Sequence, residues 1–283
     1  MVSFPFEIAG GSVAGSMHRA AGRNNQDAFC WTSTSEGLVA VVCDGCGSAP
    51  HSEVGARIGA RIIAASVRRL SDERISSTNL LARVAEETLC RLGVVANAMS
   101  AGNQAFQPRG RWSPDTSTQD NRTVGDHLLF TVVGVLIWRS MVTTFSLGDG
   151  IVIVNGNPTI LGPWANNEPP YLGYGLLEAS RSDKKRPRQT FVVHDCLPLA
   201  EVHSVMIGTD GATTLATLAD RQLHGRDETV GPLSQFWLED RFFRNPDNIR
   251  RRLAVIQRGA PGGVLSDDTT LVVLRKRNNG DAS

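Results

Sequence analysis

The sequence has no long hydrophobic run. Its longest apolar stretch, Leu128–Trp138, stops at Arg139 and is about half the ~20 residues that cross a bilayer, so no membrane-spanning helix is expected. It has no surplus of either charge: 29 Lys and Arg stand against 28 Asp and Glu. Nucleic-acid binders and polybasic membrane proteins rely on a one-signed field, so neither a nucleic acid nor a membrane is expected as a partner. The N-terminal MVSFPFEIAGG carries Glu7 and no basic residue ahead of an apolar block, and no secretory signal is read there. Cysteine is scarce and odd in number. Five cysteines in a chain large enough to hold itself without disulfides favour a reducing cytosol, and the expected location is cytoplasmic. Cys43-x-x-Cys46 has no second pair, which leaves zinc or redox use without support. There is no repeat of fixed period and no alternation of strand and helix.

What is present is an ordinary globular composition, 41% hydrophobic and 20% charged over 283 residues, enough to bury a sizeable core. Leu38-Val-Ala-Val-Val-Cys43 is a short, wholly apolar, β-branched run, as in a strand buried on both faces. Two amphipathic helices follow. The first has Val54, Ile58, Ile62, Ile63, Val67 and Leu70 at helical spacing; the second runs over Leu80–Met99, with Thr78 or Asn79 as cap. Residues 101–126 are polar and rich in Gly, Pro, Ser, Thr and Asn, and read as a long surface loop. Strand signals resume at Leu129–Trp138, Met141–Leu147 and Ile151–Val154, closed by the turn Asn155-Gly156-Asn157-Pro158. Further strands are expected at Thr190–Val193, Ser204–Ile207 and Thr270–Leu274. A short helix is expected at Ala212–Leu218 and an amphipathic one after Asn245-Pro246. Hairpin-joined strands with helices elsewhere suggest an α+β fold of antiparallel sheets covered by helices. The tight connections argue for a single domain over residues 1–283, with a disordered tail at 276–283. Lys184-Lys-Arg-Pro-Arg188 reads as a solvated charged loop.

The aspartates are the informative residues. Asp44-Gly45 ends the first apolar strand, Asp149-Gly150 ends Met141–Leu147, and Asp210-Gly211 ends the strand before it. Asp267-Asp268 stands just ahead of Thr270, and Asp27 just ahead of Ala28-Phe29-Cys30-Trp31. In an antiparallel sheet the end of one strand lies beside the start of the next, so these carboxylates can converge on one rim. Clustered carboxylates repel and take up protons unless a cation removes the cost. Mg²⁺ and Mn²⁺, hard ions that take oxygen ligands, fit such a set. A pair of them suits in-line displacement at phosphorus by an activated water. A single Asp-Gly is more often a turn signal; it is the set that suggests a metal site.

In their order along the chain these motifs resemble the metal-dependent PP2C-type (PPM) protein serine/threonine phosphatases, over about Glu7–Arg275. The residues that carry the resemblance are Gly15-Ser-Met-His18 with Asn25-Gln-Asp-Ala-Phe29, Val42-Cys-Asp-Gly-Cys46, Ser146-Leu-Gly-Asp-Gly150, Ile207-Gly-Thr-Asp-Gly211 and Ser266-Asp-Asp-Thr-Thr270. The Gln-Asp first motif is similar to that of a bacterial branch. The resemblance implies a four-layer α-β-β-α sandwich and hydrolysis of phosphoserine and phosphothreonine by a water activated at two Mn²⁺ or Mg²⁺ ions. It implies that Asp44 bridges the ions with the Gly45 carbonyl beside it, that Asp210 and Asp267 (rather than Asp268) complete the other ion, that Asp27 acts through waters, and that Asp149 stands near a third ion where one binds. It also implies phosphoprotein substrates and a cognate Ser/Thr kinase as signalling partner. The chain departs from the family's pattern at three places: Gln26 replaces a Glu, Gly22 replaces a phosphate-binding Arg, and Cys46 replaces a His. Arg23 is the first substitute for the missing arginine, ahead of Arg19, and His18 belongs to the same wall. His51 is the alternative acid. These departures motivate a rival reading, a catalytically weak regulatory or scaffold module paired with a kinase.

Overall fold

The computed structural model describes residues 5–34, 37–70, 75–105, 116–177, 189–258 and 263–277. Ten strands form two five-stranded antiparallel sheets, in the orders β1-β10-β9-β6-β7 and β2-β3-β4-β5-β8. The first sheet comprises β1 (Phe6–Val13), β6 (Gly150–Val154), β7 (Asn157–Leu161), β9 (Ser204–Gly208) and β10 (Thr269–Lys276). The second comprises β2 (Ala28–Ser33), β3 (Gly37–Cys43), β4 (Val132–Trp138), β5 (Met141–Leu147) and β8 (Val192–Pro198). Helices α2 (Ser52–Leu70), α3 (Ser77–Ala105) and α4 (Thr116–His127) cover the second sheet. The first sheet carries α5 (Asp210–Ala216), α6 (Gln235–Leu238), α7 (Arg241–Arg244) and α8 (Asn248–Gln257). A single turn of helix, α1 (Ser16–Ala20), joins β1 to β2.

Three apolar layers result, and the strands supply two of them at once. Leu38, Ala40 and Val42 of β3 point between the sheets, while Val39, Val41 and Cys43 point into the helices. In β10 the same alternation sends Val272 and Leu274 inward and Leu271 and Val273 toward α5 and α8. A central strand of a four-layer sandwich therefore reads as a continuous apolar run rather than an alternating one, which is why Leu38–Cys43 stands out in the sequence. The α-β-β-α architecture is as expected.

Several elements differ from the sequence reading. The buried face of α2 is built from Gly55, Ala56, Gly59, Ala60, Ile63 and Ala64 as well as Val67 and Leu70, while Val54, Ile58 and Ile62 are only partly covered. The small residues let the helix press close. A methyl group on Gly55 would lie 2.3 Å from the His127 carbonyl oxygen, and one on Gly59 would lie 2.2 Å from the Phe130 ring. The polar stretch 101–126 is not a loop throughout: α3 continues to Ala105, and α4 occupies Thr116–His127, where Val124 is buried. One apolar anchor per few turns is too sparse a signal for periodicity, and tertiary packing decides. The rest of that stretch lies outside the described residues, as do the basic run 184–188 and residues 278–283 of the expected tail; Lys276 is the last residue of β10. β1 and β7 carry little strand signal. β7 is an edge strand that accepts Pro158, with Asn155 (φ 51°) and Gly156 (φ 85°) turning the chain into it. Among the described residues no helix is long and apolar enough to cross a membrane.

Candidate active site

The strand registers bring the aspartates to one end of the sandwich. Ala28 pairs with Cys43, so Asp27 and Asp44 are neighbours across β2 and β3. Gly208 pairs with both Ile151 and Leu271, so Asp210, just past β9, lies beside the residues that precede β6 and β10. Those residues are Asp149, in a reversal held by Gly148 (φ 105°) and Gly150 (φ 135°), and the pair Asp267-Asp268. Such φ values favour glycine, which is why Asp149 is bracketed by two of them. Backbone bonds fix the rim: Thr131 N–H donates to the Asp44 carbonyl at 2.8 Å, Gly45 N–H to Gln26 O at 3.2 Å, and Thr209 N–H to Thr270 O at 3.0 Å.

Asp44, Asp149, Asp210 and Asp267 line one cavity of about 90 Å³, with His18, Gly45 and Tyr171 in its walls. Asp27 lies behind it, only 4% exposed, and accepts a hydrogen bond from Thr209 Oγ1 at 2.9 Å. Burial, then the charges of Asp27, Asp210, Asp267 and Asp149, hold the Asp44 carboxyl well above the usual range. Burial, then Asp268, does the same for Asp27. Asp210 is pushed up to about 6 by burial and by Asp267 and Asp149, and Asp149 is raised by burial and Asp267. The protein alone thus holds these groups against their preference for charge. Among the described residues two buried carboxylate oxygens, Asp27 Oδ1 and Asp210 Oδ1, have no hydrogen-bond partner. Unpartnered carboxylate oxygens around a small polar cavity are a donor set for a hard divalent cation, and the residues present fit one.

The adjacent aspartates separate cleanly. Asp267 is exposed and lines the cavity. Asp268 is 2% exposed and serves as a clamp: its Oδ1 accepts from Gly15 N–H at 2.7 Å and its Oδ2 from Gln26 N–H at 2.6 Å, while His18 Nδ1 lies 2.8 Å from the same Oδ2. One carboxylate ties α1, the residue before Asp27 and the start of β10 together. One ligand atom each of His18, Asp267 and Asp268 lies within 4.8 Å of the others, and no other such grouping of three occurs among the described residues. The remaining carboxylates therefore stand around the cavity rather than closing on one point.

Three further residues singled out in the sequence lie elsewhere. Arg23 donates to the carbonyls of Gly47 and Ala49, so it pins the loop after Asp44 and is not in the cavity lining. Arg19 approaches Gly263. His51 is exposed and stacks on His127, with ring centroids 5.3 Å apart. Sequence reasoning missed Tyr171 and the clamp. Tyr171 follows the Pro-rich segment and touches Cys46; burial, then its contact with Cys46, raises its hydroxyl so far that it stays protonated at working pH. Burial raises the Cys46 thiol, but hydrogen bonds from Ser48 and Tyr171 outweigh it and leave the thiol lowered. Nothing in the spacing marks Tyr171, and the resemblance prefers Asp267 over Asp268 without giving Asp268 a role.

No curated protein is matched by the sequence. The fold is similar to that of a bacterial serine phosphatase (13% identity, 97% of this chain and 99% of that one, TM-score 0.53) and to a point variant of a bacterial serine phosphatase (14%, 96% and 99%, 0.54). It is also similar to a C. elegans sex-determining protein, of which it spans 65% (13% identity, 96% of this chain, TM-score 0.53). These likenesses speak to the fold. The family profile described as protein phosphatase 2C matches residues 14–242, from just before α1 into α7, with Asp267 and β10 beyond the matched span, and the chain belongs to the protein phosphatase 2C family.

Proposed function

We propose that this protein hydrolyses phosphoserine and phosphothreonine in phosphoprotein substrates at a pair of Mn²⁺ or Mg²⁺ ions. The observation that carries the reading is the convergence of Asp44, Asp149, Asp210 and Asp267 on one cavity, with buried carboxylate oxygens left unpartnered. Asp44 would hold both ions, the Gly45 carbonyl would contact one, Asp210 and Asp267 would complete the other, and Asp149 would serve a third where it binds. Bound ions would supply Lewis-acid activation of water and neutralise charge on the phosphoryl oxygens. Asp27, pinned by Thr209 behind Asp44, would act on the ions through waters. His18 has Nδ1 turned to Asp268, which leaves Nε2 for the cavity, where it can bind a phosphoryl oxygen or give a proton to the departing serine oxygen. Tyr171, always protonated, supplies a hydroxyl to the opposite wall.

A second reading, a catalytically weak module paired with a protein kinase, draws on one observation: no arginine lines the cavity among the described residues, so a bidentate phosphate grip is missing. One experiment addresses both. With Mn²⁺, the purified protein should hydrolyse p-nitrophenyl phosphate and phosphopeptides, a chelator should abolish turnover, and Asp44→Asn should lose it while staying folded. Wild-type rates in Asp44→Asn would refute the catalytic assignment. Single-site, weak Mn²⁺ binding by calorimetry with no turnover would favour the module.

A further inference from the structure

A second cavity, of about 230 Å³, opens between the 222–230 segment and helices α7 and α8, and shares no lining residue with the carboxylate cavity. Four arginines line it: Arg226, Arg241, Arg251 and Arg252. The stretch from Arg221 to Arg258 contains eight arginines and no lysine, against five carboxylates, in a chain whose net charge is only +1. Eight arginines against five carboxylates give this stretch a net charge of +3.

The pairing of these arginines leaves a defined surplus. Arg252 is 9% exposed and fixed from every side: it donates to Glu228 Oε1 at 2.6 Å, Gln235 Oε1 at 3.0 Å, and the carbonyls of Thr229 and Val230 at 3.0 and 2.9 Å. It consumes Glu228, the cavity's one acidic lining residue, and staples the segment to α8. Arg251 bonds Asp247 only through Nε, at 2.9 Å, and shares that carboxylate with Arg250, so two guanidiniums stand on one acid. Arg241 bonds Glu239 through Nε at 2.7 Å and lies 4.9 Å over the Phe242 ring. Arg226 has no carboxylate partner among the described residues. Two positive charges are thus left over, and the terminal amino groups of Arg241 and Arg251 are free to donate.

We infer that this cavity binds a phosphate group, separately from the carboxylate cavity. A phosphomonoester carries about −1.5 to −2 at neutral pH, which matches a surplus of two. Guanidiniums held by their Nε present pre-oriented forks that bind tetrahedral oxyanions bidentately, and arginine is the residue suited to it where lysine is not. The site also lies within reach of the catalytic cavity. Gln257, at the other end of α8, clasps the backbone of Leu265 through both its amide atoms, two residues before Asp267. Arg251 and Gln257 are separated by about 9 Å at 1.5 Å per helical residue. The phosphate therefore comes either from a second phosphorylated residue of a protein bound at the carboxylate cavity, or from a free phosphate anion.

The site can be tested without relying on hydrolysis. Inorganic phosphate is titrated calorimetrically into chelator-treated protein at low salt, wild type against the Arg226→Gln, Arg251→Gln double variant. Saturable binding that weakens at least tenfold in the double variant is expected. Both side chains are exposed, so the fold should hold; should the pair be unstable, Arg226→Glu alone carries the test. Equal affinity in wild type and variant would overturn the inference. The source is read with Mn²⁺ present, on peptides bearing two phosphoserines about 4 to 10 residues apart, a reach of roughly 13 to 35 Å. A kcat/KM advantage over singly phosphorylated peptides that vanishes in the variant, with p-nitrophenyl phosphate turnover unchanged, assigns the site to substrate; variant-sensitive phosphate binding without that advantage assigns it to the free anion.

Discussion

Removing one negative charge from the carboxylate cavity should make the metal-free protein more stable and the metal-loaded protein less so. Asp210 is the residue to change, because its carboxyl is raised from 3.8 to about 6, chiefly by burial and then by Asp267 and Asp149; at 1.36 kcal/mol per pH unit that corresponds to about 3 kcal/mol. A carboxyl whose folded-state value lies above its unfolded one binds its proton more tightly when folded. Its contribution is fully present below about pH 4 and is lost as pH rises through about 6. Asp210→Asn carries no such charge at any pH, and its amide can donate to Asp44, with which Asp210 already shares a hydrogen bond. In urea titrations with a chelator, the variant should therefore exceed the wild type by only about 1 kcal/mol near pH 4.5 and by on the order of 3 kcal/mol at pH 7.5. Saturating Mn²⁺ should reverse the ranking, since an ion that binds the folded wild type stabilises it by mass action and the variant has lost a ligand. A stability difference that is the same at both pH values, or a variant no more stable than the wild type in chelator at pH 7.5, would refute the electrostatic account of this cavity.

The neighbouring aspartates should give opposite signatures. Asp268→Ala leaves the buried Gly15 and Gln26 amides without acceptors, at about 1–3 kcal/mol each, and should lower the urea midpoint with and without metal. Asp267→Asn removes a charge that raises Asp44, Asp149 and Asp210, so at neutral pH it should raise the midpoint in chelator while weakening Mn²⁺ binding by calorimetry; the reverse pattern would exchange their roles. Gly211→Ala places a methyl group 2.0 Å from the Asp268 carbonyl oxygen, against backbone that cannot yield cheaply. The start of α5 must shift, so a loss of about 1–3 kcal/mol and a drop in Mn²⁺ affinity through displaced Asp210 are expected; an unchanged melting temperature would refute so close an approach.

How much of this was legible in the sequence depends on how local the signal is. Central strands were readable because helices on one side and a second sheet on the other make them apolar at every position, as in Leu38–Cys43 and Thr270–Leu274. The aspartates were readable as a set because each stands at the end of such a strand, and an antiparallel register needs no further information to bring strand ends together. What failed was whatever depends on a partner distant in sequence. Periodicity placed Val54, Ile58 and Ile62 on the buried face of α2, but the small residues Gly55, Ala56, Gly59 and Ala60 win because Phe130 and the His127 carbonyl leave room for nothing larger. Arg23 has the right chemistry for phosphate, yet the carbonyls of Gly47 and Ala49 claim it. Tyr171 is invisible without the fold.

The two aspartates before β10 show what the site asks of the chain. Had both faced the cavity, another charge would have joined carboxyls already held well above their ordinary range, and the loop carrying them would have had nothing to tie it to α1. At the bend before β10 the doubled acid delivers one carboxylate outward to the cavity and one inward to the backbone. The inward one accepts from two amide N–H groups, with His18 Nδ1 2.8 Å away. The outward one, together with Asp44, Asp149 and Asp210, adds charge that the protein alone cannot neutralise. A chain that leaves Asp27 Oδ1 and Asp210 Oδ1 buried without partners, while Asp268 is held by two amides, gives up stability at the cavity and recovers it at the clamp. That asymmetry is hard to account for if the cavity serves no ligand, and it ties the metal-binding reading to stability measurements that require no substrate.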